Sequence, residues 1–357
     1  MNVYRYFCVP IILFLSCTNL ISQVDDSSFY KSFNAEPRYE SGVRIVFYNV
    51  ENLFDIHDDS LVRDDDFTTE GRNKWDYYKY INKLTLIYKT LVAIGGWEMP
   101  GIIGFCEVEN RYVLDQLIDH TPLSQYNYEI VHQESPDERG IDVALLYRPA
   151  KFEVVHYQAI HVNFPFDTED KTRDILYVKG LLLDKDTLHL YVNHWPSRSG
   201  GVEKSNPKRA EAAKLLKQHS DSILQIIPSS KIVIMGDLND EPGDESIINY
   251  LNARSDTTAI NSSELIDLMT FLPKGEGTHK YRGNWHYLDH FIITGSLINN
   301  STKLQLSKNG VQVFKAPFLL EDDQTNLGKK PFRTFAGPNY LGGFSDHLPI
   351  FIDLLYY

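Results

Sequence analysis

The sequence predicts an α/β protein in which mixed β-sheets pack on each other beneath outer helices. Three observations carry that expectation. Apolar runs of strand length alternate with helical stretches in some places and follow one another across short turns in others. The turns Arg148–Lys151 and Asp184–Asp186 join strand pairs of the second kind, and a purely parallel doubly wound sheet has no hairpins. No repeat of fixed period organises the 357 residues, which suffice to bury a large core as one big domain or two modest ones.

Taken in order, the N-terminal stretch carries Arg5 and then an apolar run, Phe7 to Leu15, followed by small and polar residues. That run is too short to span a bilayer and reads as a secretory signal, with cleavage expected after Ser22. Leu15-Ser16-Cys17 is a loose lipobox, so lipidation at Cys17 stays open as an alternative. Residues 23–42 are polar and read as a tether, leaving 43–357 as the folded domain. Val43 to Val50 forms the first predicted strand, and Asp64-Asp65-Asp66 a solvated loop. Tyr77, Ile81, Leu84, Tyr88 and Leu91 recur at helical spacing, which predicts a helix over 72–94 ended by Gly95-Gly96.

Ile102 to Cys106 is a short buried strand, with a helix from Arg111. Ile141–Tyr147 and Phe152–Ile160 then read as a hairpin, and Leu176–Leu183 with Leu188–Val192 as a second. Lys208 to Ile226 is amphipathic and helical, while Lys231–Met235, Leu288–Ile293 and Leu348–Leu354 are buried strands. The loop-rich stretch 296–342 reads as a variable insertion.

The formal charge of −13 argues against a general nucleic-acid coat, which works by neutralising phosphates over a broad surface. It leaves room for a nuclease, because a bound divalent ion inverts the local field of an acidic site. Of the three cysteines, Cys8 and Cys17 lie in the leader, and Cys106 sits in an apolar run as a packed core residue. The mature chain therefore has no intramolecular disulfide framework.

Chemistry-bearing side chains cluster at strand ends. Asn49 and Glu51 end the first strand and, on an extended backbone, share a face. Glu107 ends the strand Ile102–Cys106, where an uncompensated carboxylate costs desolvation. His194 follows Leu188–Val192 and opens a Gly-rich, basic loop through Arg198, Lys204, Lys208 and Arg209. A histidine there can polarise or protonate a phosphoryl oxygen, and the cations attract anionic substrate. Asp237 and Asn239, two apart after the strand Lys231–Met235, would point the same way on an extended chain, one as base and one as phosphate grip. Asp289, at the start of its strand, can orient an imidazole, and Asp346-His347 supplies one. An oxygen-rich set of Glu107, Asp346 and Asn49 suits Mg²⁺ or Mn²⁺ better than Zn²⁺. Each motif alone admits a plainer reading as a solvated strand end or a turn. Their combination in one chain points to a metal-dependent phosphoester hydrolase.

In this order the residues resemble the endonuclease/exonuclease/phosphatase, or DNase-I-like, superfamily. It includes pancreatic-type deoxyribonucleases, apurinic-site endonucleases, sphingomyelinases and inositol polyphosphate 5-phosphatases. Tyr48-Asn49-Val50-Glu51-Asn52-Leu53-Phe54-Asp55 and His194-Trp195-Pro196-Ser197-Arg198 resemble its secreted bacterial branch of predicted extracellular nucleases. The resemblance runs from about Val43 to Leu355 and implies a four-layer sandwich, two mixed sheets flanked by helices. It implies that Glu107 is the principal metal ligand, with Asn49 and Asp346 nearby. By the same match Asp237 would position or deprotonate the attacking water, and Asn239 would hold the phosphate. His194 would contact the scissile phosphate or assist the leaving group, and His347, oriented by Asp289, would stabilise developing charge. Arg139 would contact phosphate and Asp142 would brace His194, with Arg198 as a further substrate contact.

The expected protein is a monomeric, secreted or periplasmic nuclease acting on DNA or RNA without stable membrane insertion. The alternative is a phosphodiesterase or phosphatase on lipid head groups or small phosphate esters. Selectivity between them lies in loops such as 196–209 and 296–342, outside the shared catalytic core.

Overall fold

The computed structural model describes residues 42–182, 186–198, 200–300 and 302–357. Four strands, β1 (Gly42–Leu53), β2 (Ile102–Val108), β3 (Glu129–His132) and β4 (Asp142–Tyr147), join in a first sheet. The chain then enters a second sheet with β5 (Phe152–Ile160), β6 (Ile175–Leu182), β7 (Thr187–His194), β8 (Lys231–Asp237), β9 (Ala253–Arg254) and β10 (Leu265–Asp267). A ribbon of β11 (His279–Tyr281) and β12 (Asn284–His286) precedes β13 (Asp289–Thr294), which returns to the second sheet.

The remaining strands are short except the last. β14 (Leu304–Leu306) and β15 (Gln312–Val313) edge the first sheet, and β20 (Ile350–Tyr356) lies inside it. Between them, β16 (Leu320–Asp322) pairs with β17 (Lys329–Pro331) and β18 (Phe335–Ala336) with β19 (Asn339–Tyr340). The first sheet runs β14-β20-β1-β2-β4-β3 and the second β5-β6-β7-β8-β13-β10-β9. Helices α1 (Tyr77–Gly95), α2 (Arg111–Asp119) and α3 (Val202–Ile226) complete the fold.

The four layers follow from burial on both faces of the central strands. Val43, Ile45 and Phe47 of β1 face the second sheet and meet Val233, Met235 and Phe291 in one core. The alternate residues Val46, Tyr48 and Val50 pack with Leu84, Ile87 and Leu91 of α1 and Val113 and Leu117 of α2. On the far side Tyr191, Ile232, Ile234 and Ile292 pack against Ala212, Ala213 and Leu216 of α3. Strands covered on both faces read as near-continuous apolar runs, which is why the sequence marks them so plainly. Cys106 is buried in the inter-sheet core.

Several expectations are revised. β4 and β5 are no hairpin: β4 pairs with β2 and β3, β5 with β6, and the turn Arg148–Lys151 carries the chain from one sheet to the other. The second pair is a true antiparallel neighbour, β6 with β7, though residues 183–185 of its turn lie outside the described ones. Helix α1 starts at Tyr77 because the Asp76 side chain accepts from the Lys79 amide, an N-cap that fixes the first turn. Its buried face is Tyr80, Leu84, Ile87 and Leu91, with Tyr77 60% exposed, so the stripe is rotated from the expected one. Helix α3 begins six residues early, at Val202, and carries Pro207 inside it. The leader, the cleavage site, most of the tether, Cys8 and Cys17 lie outside the described residues. Among the described residues no helix is long and apolar enough to cross a membrane.

Candidate active site

Strand register assembles the site. β1 runs parallel to β2 and β7 parallel to β8, so each pair delivers its C-terminal residues together. β13 runs antiparallel to β8, which brings its first residue to the same edge. His194, Asp237 and Asp289 are direct register neighbours across β7, β8 and β13. Gly236 allows this close approach, because a Cβ there would lie 2.5 Å from the Asn193 carbonyl oxygen.

The two sheets meet through these side chains. Asn49 Nδ2 donates to Asp237 Oδ2 at 3.0 Å and to Glu107 Oε1 at 3.3 Å. His194 Nε2 stands 3.8 Å from both Glu107 Oε1 and Asp237 Oδ2. His347 Nε2 stands 3.8 Å from Asp237 Oδ2, while its Nδ1 is 2.7 Å from Asp289 Oδ2. Six expected residues, Asn49, Glu107, His194, Asp237, Asp289 and His347, thus surround one point. Asn239 lies beside them: its amide donates to Asp237 Oδ1 at 3.0 Å, and its side chain donates to the Trp195 carbonyl at 3.1 Å.

The backbone is bent to achieve this. Glu107, Asn239, Glu51 and Asn52 all have left-handed φ, between 52° and 61°. Such conformations cost non-glycine residues roughly 1 kcal/mol or more each and concentrate at functional sites. They also correct two expectations. Asp237 and Asn239 are joined by a tight turn and not by an extended chain. Glu51 does not share Asn49's surroundings, since its carboxylate turns to Arg333 and Thr334.

Electrostatics separate the two histidines. Burial lowers His194 well below the usual value, reinforced by Arg173, Arg139 and His347, so it is neutral. Burial pulls the same way on His347, but Asp289 and Asp237 outweigh it and hold the ring protonated well above its ordinary range. Burial pushes Asp237 up to about 7, with Asp289 and Glu107 adding to the rise against the pull of His347. The site therefore holds a poised carboxyl, an imidazolium and a neutral imidazole, a set suited to proton transfer and charge stabilisation near neutral pH.

Beside it lies a second charged group. Glu51, Glu107 and Asp346 gather around Arg333 and the buried Lys83. Arg333 Nη2 is 3.2 Å from Glu51 Oε1 and 3.1 Å from Asp346 Oδ2. Lys83 Nζ donates to Thr334 Oγ1 at 2.6 Å and to the Phe344 carbonyl at 2.7 Å. Glu51 and Asp346 present carboxylate oxygens already drawn to the Arg333 cation, with the charge of Glu107 nearby, so the chemistry fits a hard divalent ion such as Mg²⁺ or Mn²⁺. Among the described residues the sets that converge closely enough for an ion are His279, Asp346 and His347; Asp237, Asp289 and His347; and His132, Glu134 and Asp142, so Asp346 belongs to such a set while Glu51 and Glu107 stand farther out. The expected ligand Asn49 turns its oxygen to the Glu51 amide at 2.9 Å and its NH₂ to the carboxylates, so it joins the acidic groups as a donor.

The outer residues are placed differently than expected. Asp142 bonds His132 Nε2 at 3.0 Å and the Ser135 amide, while His194 Nδ1 has no partner among the described residues, so Asp142 does not brace His194. Arg173 holds the His194 loop instead, donating to the carbonyls of His194 and Trp195 and to Asp137. Arg198 is engaged by the Asn239 carbonyl at 2.7 Å and by Asp240 and Asp244, which fixes the loop and leaves it little freedom to meet substrate. Arg139 stays half-exposed beside Asp137 and close enough to act on His194. Glu51, Lys83, Arg173, His279 and Arg333 were not singled out as site residues by the sequence; only Glu51 carried a signal, its position two after Asn49.

The loop after Asp237 is anchored by His290, whose Nδ1 is 2.9 Å from Asp267 Oδ2 and whose Nε2 is 2.8 Å from the Asp240 carbonyl. Burial lowers this imidazolium, but Asp267 outweighs it and raises the group to about 9. A histidine raised in the folded state contributes stability fully present below about 6.5 and lost as pH rises through about 9. Urea unfolding of the wild type should therefore lose about 3 kcal/mol between pH 6 and pH 10 relative to His290→Gln. Parallel pH profiles for the two proteins would contradict this.

The family model described as Endonuclease/Exonuclease/phosphatase family matches residues 44–355. No curated protein matches the sequence. Among solved structures, the human Nocturnin catalytic domain with bound sulfate is 16% identical, with a TM-score of 0.54 over 88% of this chain and 95% of that one. D. rerio TDP2 complexed with a single-strand DNA product is 14% identical, with a TM-score of 0.53 over 88% and 99%. A mannosyl-6-phosphatase from Bacteroides thetaiotaomicron is 14% identical, with a TM-score of 0.50 over 88% and 100%. These likenesses establish the DNase-I-like fold of two mixed sheets with flanking helices.

Proposed function

The chain belongs to the endonuclease/exonuclease/phosphatase family, and from that premise we propose that it is a secreted, divalent-metal-dependent phosphodiesterase, an endonuclease on extracellular DNA or RNA. The family membership makes it a hydrolase of phosphoric esters. The observation that carries the phosphoester-hydrolase chemistry is the convergence of Asp237, His194 and His347 within 3.8 Å contacts where the two sheets meet. The apolar run at residues 7–15 supports export, with 1–22 as leader and 23–42 as tether.

In this reading Asp237, held at about 7, accepts the proton of the attacking water. The Asn239 amide, seated by Trp195, steadies a phosphate oxygen. His347, charged and aligned by Asp289, stabilises negative charge on the phosphorane. His194, neutral and buried, contacts the scissile phosphate beside Arg139. Glu107 and Asp346, with Glu51, would hold the metal, which supplies Lewis-acid neutralisation of phosphate charge.

TDP2, one of the similar folds, is described with a single-strand DNA product, which supports nucleic acid as substrate. The mannosyl-6-phosphatase among the neighbours supports the second reading, a phosphatase or phosphodiesterase on small phosphate esters. Incubation of the mature protein with supercoiled plasmid in Mg²⁺ or Mn²⁺ should give nicked circles, and EDTA should abolish them. Intact plasmid from folded, metal-loaded protein would overturn the nuclease and direct the assay to phosphate monoesters.

A further inference from the structure

We propose that Arg333 is a built-in occupant of the divalent-cation seat: its guanidinium bridges Glu51 and Asp346, is displaced when the ion binds, and then serves the anionic substrate. The inference rests on the metal-dependent reading above. Arg333 Nη2 sits between Glu51 Oε1 at 3.2 Å and Asp346 Oδ2 at 3.1 Å, and Nε reaches the same Glu51 oxygen at 3.3 Å. Its side chain is 40% exposed, whereas the Glu51 side chain it grips is 4% exposed. One end of the guanidinium is thus engaged inside the acidic group while the residue stays open to solvent.

Charge balance makes the two cations competitors. Glu51, Glu107 and Asp346 offer three formal negative charges, and Lys83 and Arg333 offset two of them. A divalent ion added to that set over-neutralises it and repels a guanidinium only a few ångströms away. Lys83 cannot yield, because it is buried and tied to Thr334 and the Phe344 carbonyl. Arg333 can. The next residue is pinned, since the Thr334 amide donates to Glu51 Oε2 at 2.6 Å, so the Arg333 side chain moves on a fixed backbone. Displaced from the carboxylates, a planar guanidinium at the rim is well formed for bidentate capture of a phosphate.

The test measures Mn²⁺ binding to the full, substrate-free protein by the loss of the free-ion EPR signal. Arg333→Ala should bind Mn²⁺ about tenfold tighter than wild type, equivalent to removing a competing cation worth ~1.4 kcal/mol. Arg333→Lys, which keeps a cation, should stay near wild type. Arg333→Ala should also raise KM for plasmid. Equal or weaker Mn²⁺ affinity in a folded Arg333→Ala protein overturns this inference alone. Absence of Mn²⁺ binding by all three proteins overturns it together with the metal-dependent reading.

Discussion

Asp237→Ala should lower the rate of phosphodiester cleavage by about 10²–10⁴-fold, the range a positioned general base contributes. The same change should leave the melting temperature at or slightly above that of wild type. Both halves come from one environment. Asp237 is buried between Asp289 and Glu107 and is held up to about 7, so its ionised form gains little from folding. A carboxyl raised in the folded state weakens the fold as pH climbs from its unfolded value of about 3.9 towards 7. Removing it relieves that cost and offsets the lost bonds to the Asn49 side chain and the Asn239 amide. Nicking rates and thermal melts on the same preparation read both effects. A variant that keeps wild-type turnover would remove Asp237 from the mechanism, and one that unfolds would show that its role is structural.

The residues around Asp237 were legible because the strands that carry them are. An apolar run buried on both faces ends abruptly, and the polar side chains just beyond it must stand at the sheet edge, as Glu107, His194 and Asp237 do. What the sequence hid was contact at long range. Lys83 lies on a helix 251 residues before Thr334, and nothing in its surroundings marks it as buried. Arg333 falls in a stretch that reads as a variable loop, yet it closes the acidic group. The turn Arg148–Lys151 looks the same whether it folds a hairpin or steps between sheets, and only packing of β5 against β6 decides. The basic loop misled in its own way: Arg198 suggested substrate attraction, but neighbouring carboxylates Asp240 and Asp244 bind it, and carboxylates that close in space are invisible to composition.

The largest stability effect is expected where those distant residues meet. Lys83→Met should destabilise the protein by about 2–5 kcal/mol, because two buried acceptors, the Thr334 hydroxyl and the Phe344 carbonyl, lose their donor at about 1–3 kcal/mol each. Burial lowers Lys83 to about 8 and raises Glu51 to about 7, and each group resists the other's shift by its charge. Without Lys83 the carboxylate faces Asp346 with Arg333 as its remaining cation, and the Thr334 hydroxyl and Phe344 carbonyl lose their donor. The loss should be smaller at pH 5, where Glu51 binds a proton in both proteins, and larger at pH 8, where the wild-type carboxylate is ionised and the variant's, raised further without Lys83, must take up a proton or stay uncompensated. Glu51→Gln adds its own penalty alone, but the double variant should recover part of the sum, because two neutral side chains no longer need each other. Urea denaturation of the four proteins at both pH values measures the coupling. Strict additivity, with no dependence on pH, would mean that Lys83 acts only through packing and that the acidic group is neutralised by Arg333 alone.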